Sequence, residues 1–433
     1  MEYKYSIFNN LLNVGDRSLV LYNSYTHHSI IISKAAFPHD VNSLNEAAFE
    51  IFKRNGFIVP TNEDETLKVK SVLSKTMAAD GAFNLIVNPT LECNCRCWYC
   101  YETHAKQMIM SDATLSRLKK FIIEILAEKN ELILSFFGGE PFLQFDRIVK
   151  PLMEWTKEIV SKSGKAVKYV FTTNSLLIDD RIMSFLEQYD NQSYQITLDG
   201  GKECHNRTRV CKNRDSFEAV INAVSQLATH GSKILLRLNL TNDNIKTAFE
   251  IPEYFKDLAE NVKSNITVAC EQVWQDIEKG SIFDDFIELR KEFLKVGIQS
   301  ALKDRDSIHN TCYADKLNSV VVNYDGVMYK CTAIDFVRHN GIGSIMDDCA
   351  LKAIRSNFET YSRNKLNKSI CQTCRVWPLC AGGCYKNISS DNGMLCRFPS
   401  EAAKDELVMN NLEEFLFLNQ YVKDKDVCVK KSI

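Results

Sequence analysis

From residue 84 onward the chain alternates two periods. Apolar runs of strand length, at 85–90, 132–137, 167–173, 193–198, 233–240 and 265–270, are separated by stretches whose apolar residues recur three and four apart. The spacing predicts a helix from Ser111 to about Lys129, with Leu115, Leu118, Ile122, Ile125 and Leu126 on one side. It predicts a second helix carrying Ile148, Leu152, Trp155 and Ile159, and further ones at 178–188, 216–229 and 248–260. Six such β/α units read as an α/β fold, a partial (β/α)6 TIM barrel of parallel strands left open, with chemistry at the strands' C-terminal ends. Before this region, runs at 3–8, 17–24 and 28–33 are broken by Gly15-Asp16 and by Ser24-Tyr-Thr-His27, as in a small antiparallel sheet. Ser43 is expected to cap a helix through Phe52, residues 56–60 to form a strand, and Asn62 to begin a second helix. Beyond the repeats, 282–303 reads as a helix. Residues 318–323 and 327–331 flank Asp325-Gly326 as a hairpin, and 400–418 reads as a helix carrying Leu407, Leu412 and Phe415.

Composition narrows the picture. A chain of 433 residues, 45% apolar, can bury a large core and divides into two to four domains. A net charge of −2 gives no electrostatic reason to expect nucleic acid or an anionic membrane as partner. No apolar run approaches the length of a membrane span, and Met1-Glu-Tyr-Lys-Tyr is unlike a signal peptide. Sixteen cysteines without a secretion signal argue for metal rather than disulfides, in a reducing cytoplasm.

The densest chemistry is Cys93-Asn-Cys-Arg-Cys97-Trp-Tyr-Cys100, in which Cys93, Cys97 and Cys100 are spaced CxxxCxxC. Three thiolates on one loop can hold three irons of a [4Fe–4S] cube and leave the fourth open. The competing reading is a structural zinc knuckle, though zinc prefers four ligands in CxxC pairs. Cys95 is off the spacing and reads as a bystander. The motif, just after the first strand of the repeats, resembles that of the radical S-adenosylmethionine (SAM) superfamily. That resemblance implies a free iron that chelates SAM, and SAM cleavage to methionine and a 5′-deoxyadenosyl radical. Gly138-Gly139-Glu140-Pro141 ends the second strand, where the family places the group that meets the SAM ammonium. Tyr99 matches the aromatic that abuts the adenine. Thr173 and Asn174 end the third strand, within reach of the ribose. Thr197-Leu-Asp199-Gly200 resembles the family's S-x-D-G. His205-Asn206-Arg-Thr-Arg209 resembles its H-D-x-x-R, where the arginine pairs with the SAM carboxylate. Arg237 and Asn239 end the fifth strand. Cys204, Cys211 and Cys270 fit no spacing and read as packing residues.

A second cysteine system follows. Cys312, Gly326 and Cys331 are followed by Cys371-x2-Cys374-x5-Cys380-x3-Cys384 and Cys396, which resembles the SPASM pattern element by element. The resemblance implies two auxiliary [4Fe–4S] clusters, three in all. Cys371, Cys374, Cys380 and Cys396 would hold the outer one, and Cys312, Cys331 and Cys384 the inner one. No eighth cysteine stands beside the first, so the inner cluster's last site is open or is filled by Cys349 or another residue. A zinc ribbon and a purely structural relay are the alternatives.

These resemblances divide the chain into a winged-helix-like module at 1–80, a radical SAM core at 84–285, a SPASM domain at 304–400, and a helix and tail at 401–433. In peptide-modifying members such an N-terminal module grips the leader of a precursor peptide by strand addition. The function implied is maturation of a ribosomally made peptide by cross-linking, C–C or thioether. An electron donor such as flavodoxin or ferredoxin would serve it, with no nucleic acid and no membrane involved. One alternative is anaerobic sulfatase maturation, Cys or Ser to formylglycine. Those enzymes carry an acidic residue directly after the GX4C cysteine, where this chain has Thr332, with Asp335 the nearest carboxylate and candidate base. Another is a non-catalytic iron–sulfur protein that binds a peptide.

Overall fold

The computed structural model describes residues 1–38, 40–102, 106–211, 215–301, 307–390, 396–398 and 400–424. His104, Cys428, Lys430 and Lys431 fall outside the described residues. The chain forms two compact units, one of residues 1–79, 303–317 and 357–433, the other of 80–302 and 318–356.

In the first unit the N-terminal strands are β1 (Tyr3–Tyr5), β2 (Asn9–Val14), β3 (Ser18–Asn23), β4 (Ser29–Ser33) and β5 (Ile58–Pro60). Strands β2, β3 and β4 make an antiparallel sheet, and β1 pairs antiparallel with β5. The run expected at 3–8 breaks at Ser6 because the Glu65 carboxylate takes the Ser6 hydroxyl and the Ile7 amide, the latter at 3.0 Å, in place of a strand partner. The first helix is Glu46–Arg54, capped by Asn45 rather than Ser43; the Asn45 side chain accepts from the Ala48 amide at 2.9 Å. Asp64 caps the next helix, Glu65–Met77. Leu12, Val20 and Tyr22 of this sheet pack in one cluster with Val376, Leu379, Val408 and Leu412, so the helix Glu401–Asp424 lies against β2.

The second unit is built on a sheet of ten strands. In chain order its strands and the small ladder beside it are β6 (Phe83–Val87), β7 (Cys95–Cys97), β8 (Glu131–Phe136), β9 (Ala166–Thr173), β10 (Gln192–Leu198), β11 (Arg209–Cys211), β12 (Lys233–Leu240), β13 (Ile266–Gln272), β14 (Gln299–Ser300), β15 (Ser319–Val322), β16 (Val327–Tyr329) and β17 (Gly343–Ser344). The sheet order is β14-β13-β12-β10-β9-β8-β6-β15-β16-β17. From β14 to β15 neighbouring strands run parallel, with an intervening helix in each of the six repeats, and the sheet stays open. The expected hairpin forms as β15–β16, and β15 docks parallel on β6, extending the sheet.

Burial alternates with period two along β8, β9, β10 and β12. One face is apolar and buried under helices: Leu134, Phe136, Phe171, Ile196 and Leu236. Phe136, Phe171 and Tyr194 stack across three strands at 5.1 and 5.0 Å. The opposite face carries Thr172, Gln195, Thr197, Arg237 and Asn239, and these line a cavity. The helix expected over 248–260 is instead a 3₁₀ segment, Ile245–Phe255, then Glu260–Lys263, because Pro252 can supply no amide to a continuous α-helix. The helix expected over 282–303 spans Phe283–Lys295, and Gly297, at φ +91°, turns the chain into β14.

Candidate functional site

Over the C-terminal ends of the parallel strands lies a cavity of about 270 Å³. The chain after β6 crosses it as the loop of Cys93, Cys97 and Cys100, all three lining the cavity. Gly138 and Gly139 close against this loop. Their amide zipper joins Gly139 N to Thr90 O at 3.1 Å and Glu140 N to Glu92 O at 2.8 Å. A Cβ on Gly139 would stand 2.1 Å from the Glu92 carbonyl oxygen, so only glycine lets the two segments approach. Glu140 is fully buried. Its carboxylate accepts from the Phe142 amide at 3.0 Å, the Thr173 hydroxyl at 2.8 Å and the Asn174 amide at 2.8 Å. It therefore ties the ends of β8 and β9 together. Burial pushes its carboxyl up to about 7, against those bonds and the Arg209 charge. Asn174 points its amide at the Cys93 sulfur, 3.8 Å away, and at the Asn94 side-chain oxygen, 2.7 Å away.

The far wall is one network. Strand β7 pairs antiparallel with β11, placing Cys97 opposite Arg209. The Arg209 guanidinium donates to Asp199 at 3.0 Å and to the Tyr99 hydroxyl at 3.0 Å. Tyr99 donates to the other Asp199 oxygen, and Asn239 donates to Tyr99 at 3.0 Å. Four residues from four segments, each expected from the sequence to face SAM, thus meet at one point. Arg209 and Asp199 are buried and form an ion pair. Burial raises the thiols of Cys93, to about 11, and of Cys97 and Cys100; the Arg209 charge pulls all three back down.

His205 supports Asp199 from behind: its Nδ1 accepts the Asp199 amide at 3.2 Å. Burial pushes His205 down to about 4 from 6.5, so it is neutral. An unfolded chain takes up a proton below 6.5 and the folded one does not until about 4. Stability from this group is therefore present at neutral pH and lost as pH falls through that window, by up to about 3 kcal/mol. A His205→Gln variant should show a shallower fall of melting temperature between those pH values than wild type; identical slopes would exclude His205 as the source.

Sequence reasoning missed several wall residues. Glu102 lines the cavity, neither carboxylate oxygen has a hydrogen-bond partner among the described residues, and burial pushes it up to about 8. Tyr101 and Trp274 stack at 5.7 Å on the rim, and Gln275 donates to the Tyr99 carbonyl at 2.9 Å. Trp274 and Gln275 stand just past β13, so the strand-end rule that found the other residues also points here. Cys95 and Cys211, expected to be a bystander and a packing residue, are joined by a disulfide that pins β7 to β11. Asp335 is exposed, while Ala333, two residues before it, lines the cavity.

In the other unit Cys371, Cys374, Cys380 and Cys396 line a common small cavity, a donor set of four thiols suited to an iron–sulfur cluster. Cys312 and Cys384, in the same unit, are exposed, whereas Cys331, in the unit of the parallel sheet, is buried just past β16. Among the described residues no three His, Cys, Asp or Glu side chains converge tightly enough to hold a single metal ion. Nor is any described helix long and apolar enough to cross a membrane.

An open parallel α/β domain with three thiols on the loop after its first strand and an Arg–Asp–Tyr network facing them defines the class: a cofactor-dependent enzyme working at strand ends. Residues 87–251 match the family model described as the Radical SAM superfamily, a family that binds a [4Fe–4S] cluster and SAM. Over 418 residues the chain is 24% identical to the radical SAM cyclopropyl synthase TigE of Paramaledivibacter caminithermalis, covering 88% of this chain and 84% of that one. The solved structure described as native anSMEcpe with bound AdoMet and Cp18Cys peptide superposes with a TM-score of 0.61 at 20% identity, over 79% of this chain and all of that one. Streptococcus suis SuiB bound to precursor peptide SuiA superposes with a TM-score of 0.54 at 14% identity, over 90% and 97%.

Proposed function

We propose that this protein is a radical SAM peptide maturase that cross-links residues of a ribosomally made precursor. The observation that carries the reading is the meeting of Arg209, Asp199, Tyr99 and Asn239 opposite the three thiols of the Cys93–Cys100 loop. Support for a peptide substrate comes from the fold shared with SuiB, whose solved complex holds a precursor peptide. When bound, the cluster and SAM would supply the one-electron chemistry that takes hydrogen from an unactivated C–H bond.

The chain's own residues have the following roles in this reading. Cys93, Cys97 and Cys100 hold three irons. The backbone of Gly138 and Gly139 faces the SAM ammonium, with Glu140 behind it, its oxygens held by Phe142, Thr173 and Asn174. Arg209, aligned by Asp199, takes the carboxylate. Tyr99 sits against the adenine, and Thr173, Asn174 and Asn239 serve the ribose side. Cys371, Cys374, Cys380 and Cys396 hold the outer auxiliary [4Fe–4S] cluster, and Cys312, Cys331 and Cys384 the inner one, three clusters in all. Residues 1–80 dock the leader, and a flavodoxin or ferredoxin supplies electrons in the cytoplasm.

The test is anaerobic incubation with SAM and reductant. Wild type is expected to release 5′-deoxyadenosine, and Cys93→Ala/Cys97→Ala/Cys100→Ala to release none while losing about four irons per chain. Turnover that survives the triple change overturns the assignment. A candidate precursor co-expressed with the enzyme should lose two hydrogens by mass spectrometry. Formylglycine in a sulfatase peptide would instead place the protein with the sulfatase-maturing enzymes, and cleavage-incompetent protein that still binds peptide would make it a binding module. Deletion of residues 1–80 should weaken precursor binding and leave uncoupled SAM cleavage; unchanged affinity would remove the docking role.

A further inference from the structure

Away from the SAM cavity, the first unit buries a charged side chain that the proposed reaction does not use. Lys365 is fully buried. Its ammonium donates to Asp315 Oδ2 at 2.8 Å and to the Gly383 carbonyl at 2.9 Å, and it stands 5.8 Å from the centre of the Tyr361 ring. Asp315 is buried too, and its other oxygen accepts from the Tyr361 hydroxyl. With the Tyr361 hydroxyl as a third acceptor at 3.4 Å, both oxygens of a buried carboxylate and all three protons of a buried ammonium are committed, the condition under which such a pair is tolerated.

The pair joins two backbone segments that carry cysteines. Asp315 closes the 3₁₀ turn capped by Cys312, its amide bonded to the Cys312 carbonyl at 2.9 Å. Gly383 immediately precedes Cys384, at the end of a run in which Ala381, Gly382 and Gly383 all have positive φ, at +50°, +81° and +103°. Alanine is costly there, and a run of left-handed residues persists only where its surroundings hold it. The Lys365 bond to the Gly383 carbonyl is such a hold. The side chain also passes beneath the turn: a Cβ on Gly382 would lie 3.5 Å from Lys365 Cγ.

We propose that Lys365 is a positioning residue for the auxiliary iron–sulfur sites: it ties the backbone before Cys384 to the turn after Cys312 and fixes a positive charge beside both. The inference rests on the cluster reading given under the proposed function. A fixed positive charge stabilises the reduced, more negative cluster, and a fixed negative charge does the opposite. Lys365 and Asp315 therefore act on the cluster potential with opposite signs, which packing alone would not produce.

The experiment uses full-length protein reconstituted anaerobically, with iron and sulfide counted and the auxiliary signals followed through a redox titration by electron paramagnetic resonance. Lys365→Met is expected to bind less iron than wild type and to move the remaining auxiliary signal to a more negative potential. Asp315→Asn is expected to move it to a more positive one. If the lone substitution leaves too little folded protein to titrate, Lys365→Met/Asp315→Asn, which leaves no single charge buried, is measured instead. It is expected to keep the iron deficit because the Gly383 anchor is gone. Wild-type iron and potentials in Lys365→Met or in the paired variant overturn the proposal, as do shifts of the same sign in the two single variants. Wild-type protein that itself binds iron for one cluster only would overturn the auxiliary-cluster reading, a distinct outcome.

Discussion

Arg209→Met is expected to weaken SAM binding about a hundredfold and to destabilise the folded chain by about 3–5 kcal/mol. Both effects come from one geometry. Arg209 donates to Asp199 and to Tyr99 while buried, so its removal strands a carboxylate with no exposed surface next to the Tyr99 hydroxyl and the Cys97 thiol. The energetic cost belongs to that orphaned charge rather than to the pair's net worth. Arg209→Met/Asp199→Asn is therefore expected to recover most of the stability, measured by urea unfolding, and none of the SAM affinity, measured by anaerobic equilibrium dialysis. Lysine at 209 should restore only part of either, since a single ammonium cannot span Asp199 and Tyr99 as the planar guanidinium does. Arg209→Met with wild-type SAM affinity would remove the carboxylate-pairing role.

Gly139→Ala is expected to cost about 3 kcal/mol and to lower the iron held by the Cys93 loop. The added methyl would meet the carbonyl oxygens of Glu92 and Leu91 at 2.1 and 2.6 Å, and both belong to backbone that leads directly into Cys93. No side-chain rotation relieves a clash with backbone. Gly138→Ala adds a second penalty, a Thr90 oxygen at 2.4 Å with φ at +106°. The control is Gly164→Ala, in the left-handed cap of the helix Lys150–Ser163 with nothing within 4 Å of the new methyl. It should cost only the left-handed strain, about 1 kcal/mol, and leave iron binding unchanged. Equal iron loss in the two variants would show that the approach of Gly139 to the loop is not what holds Cys93 in place.

The amino-acid sequence alone determined what depends on neighbours along the chain. The strand and helix periods placed the parallel repeats, in places to the residue, as for the helix Ser216–Thr229 and strand β12, because side-chain alternation is a local property of each element. Cysteine spacing identified the thiol loop for the same reason, the strand-end rule pointed to Asp199 and Asn239, and the family resemblance added Tyr99 and Arg209. Local rules also failed locally: Pro252 broke one helix, and Glu65 cut one strand short by taking its amide. Only the tertiary structure decided the rest. The Arg209–Tyr99 bond spans 110 positions, the Cys95–Cys211 bridge 116, and the Lys365–Asp315 pair 50. The docking of β15 on β6, and of the helix Glu401–Asp424 on β2, likewise joins remote segments. No periodicity records which distant partner a strand edge or a buried charge will find. That choice is made when the whole core closes, since only then does an unpaired group become costly enough to select its mate.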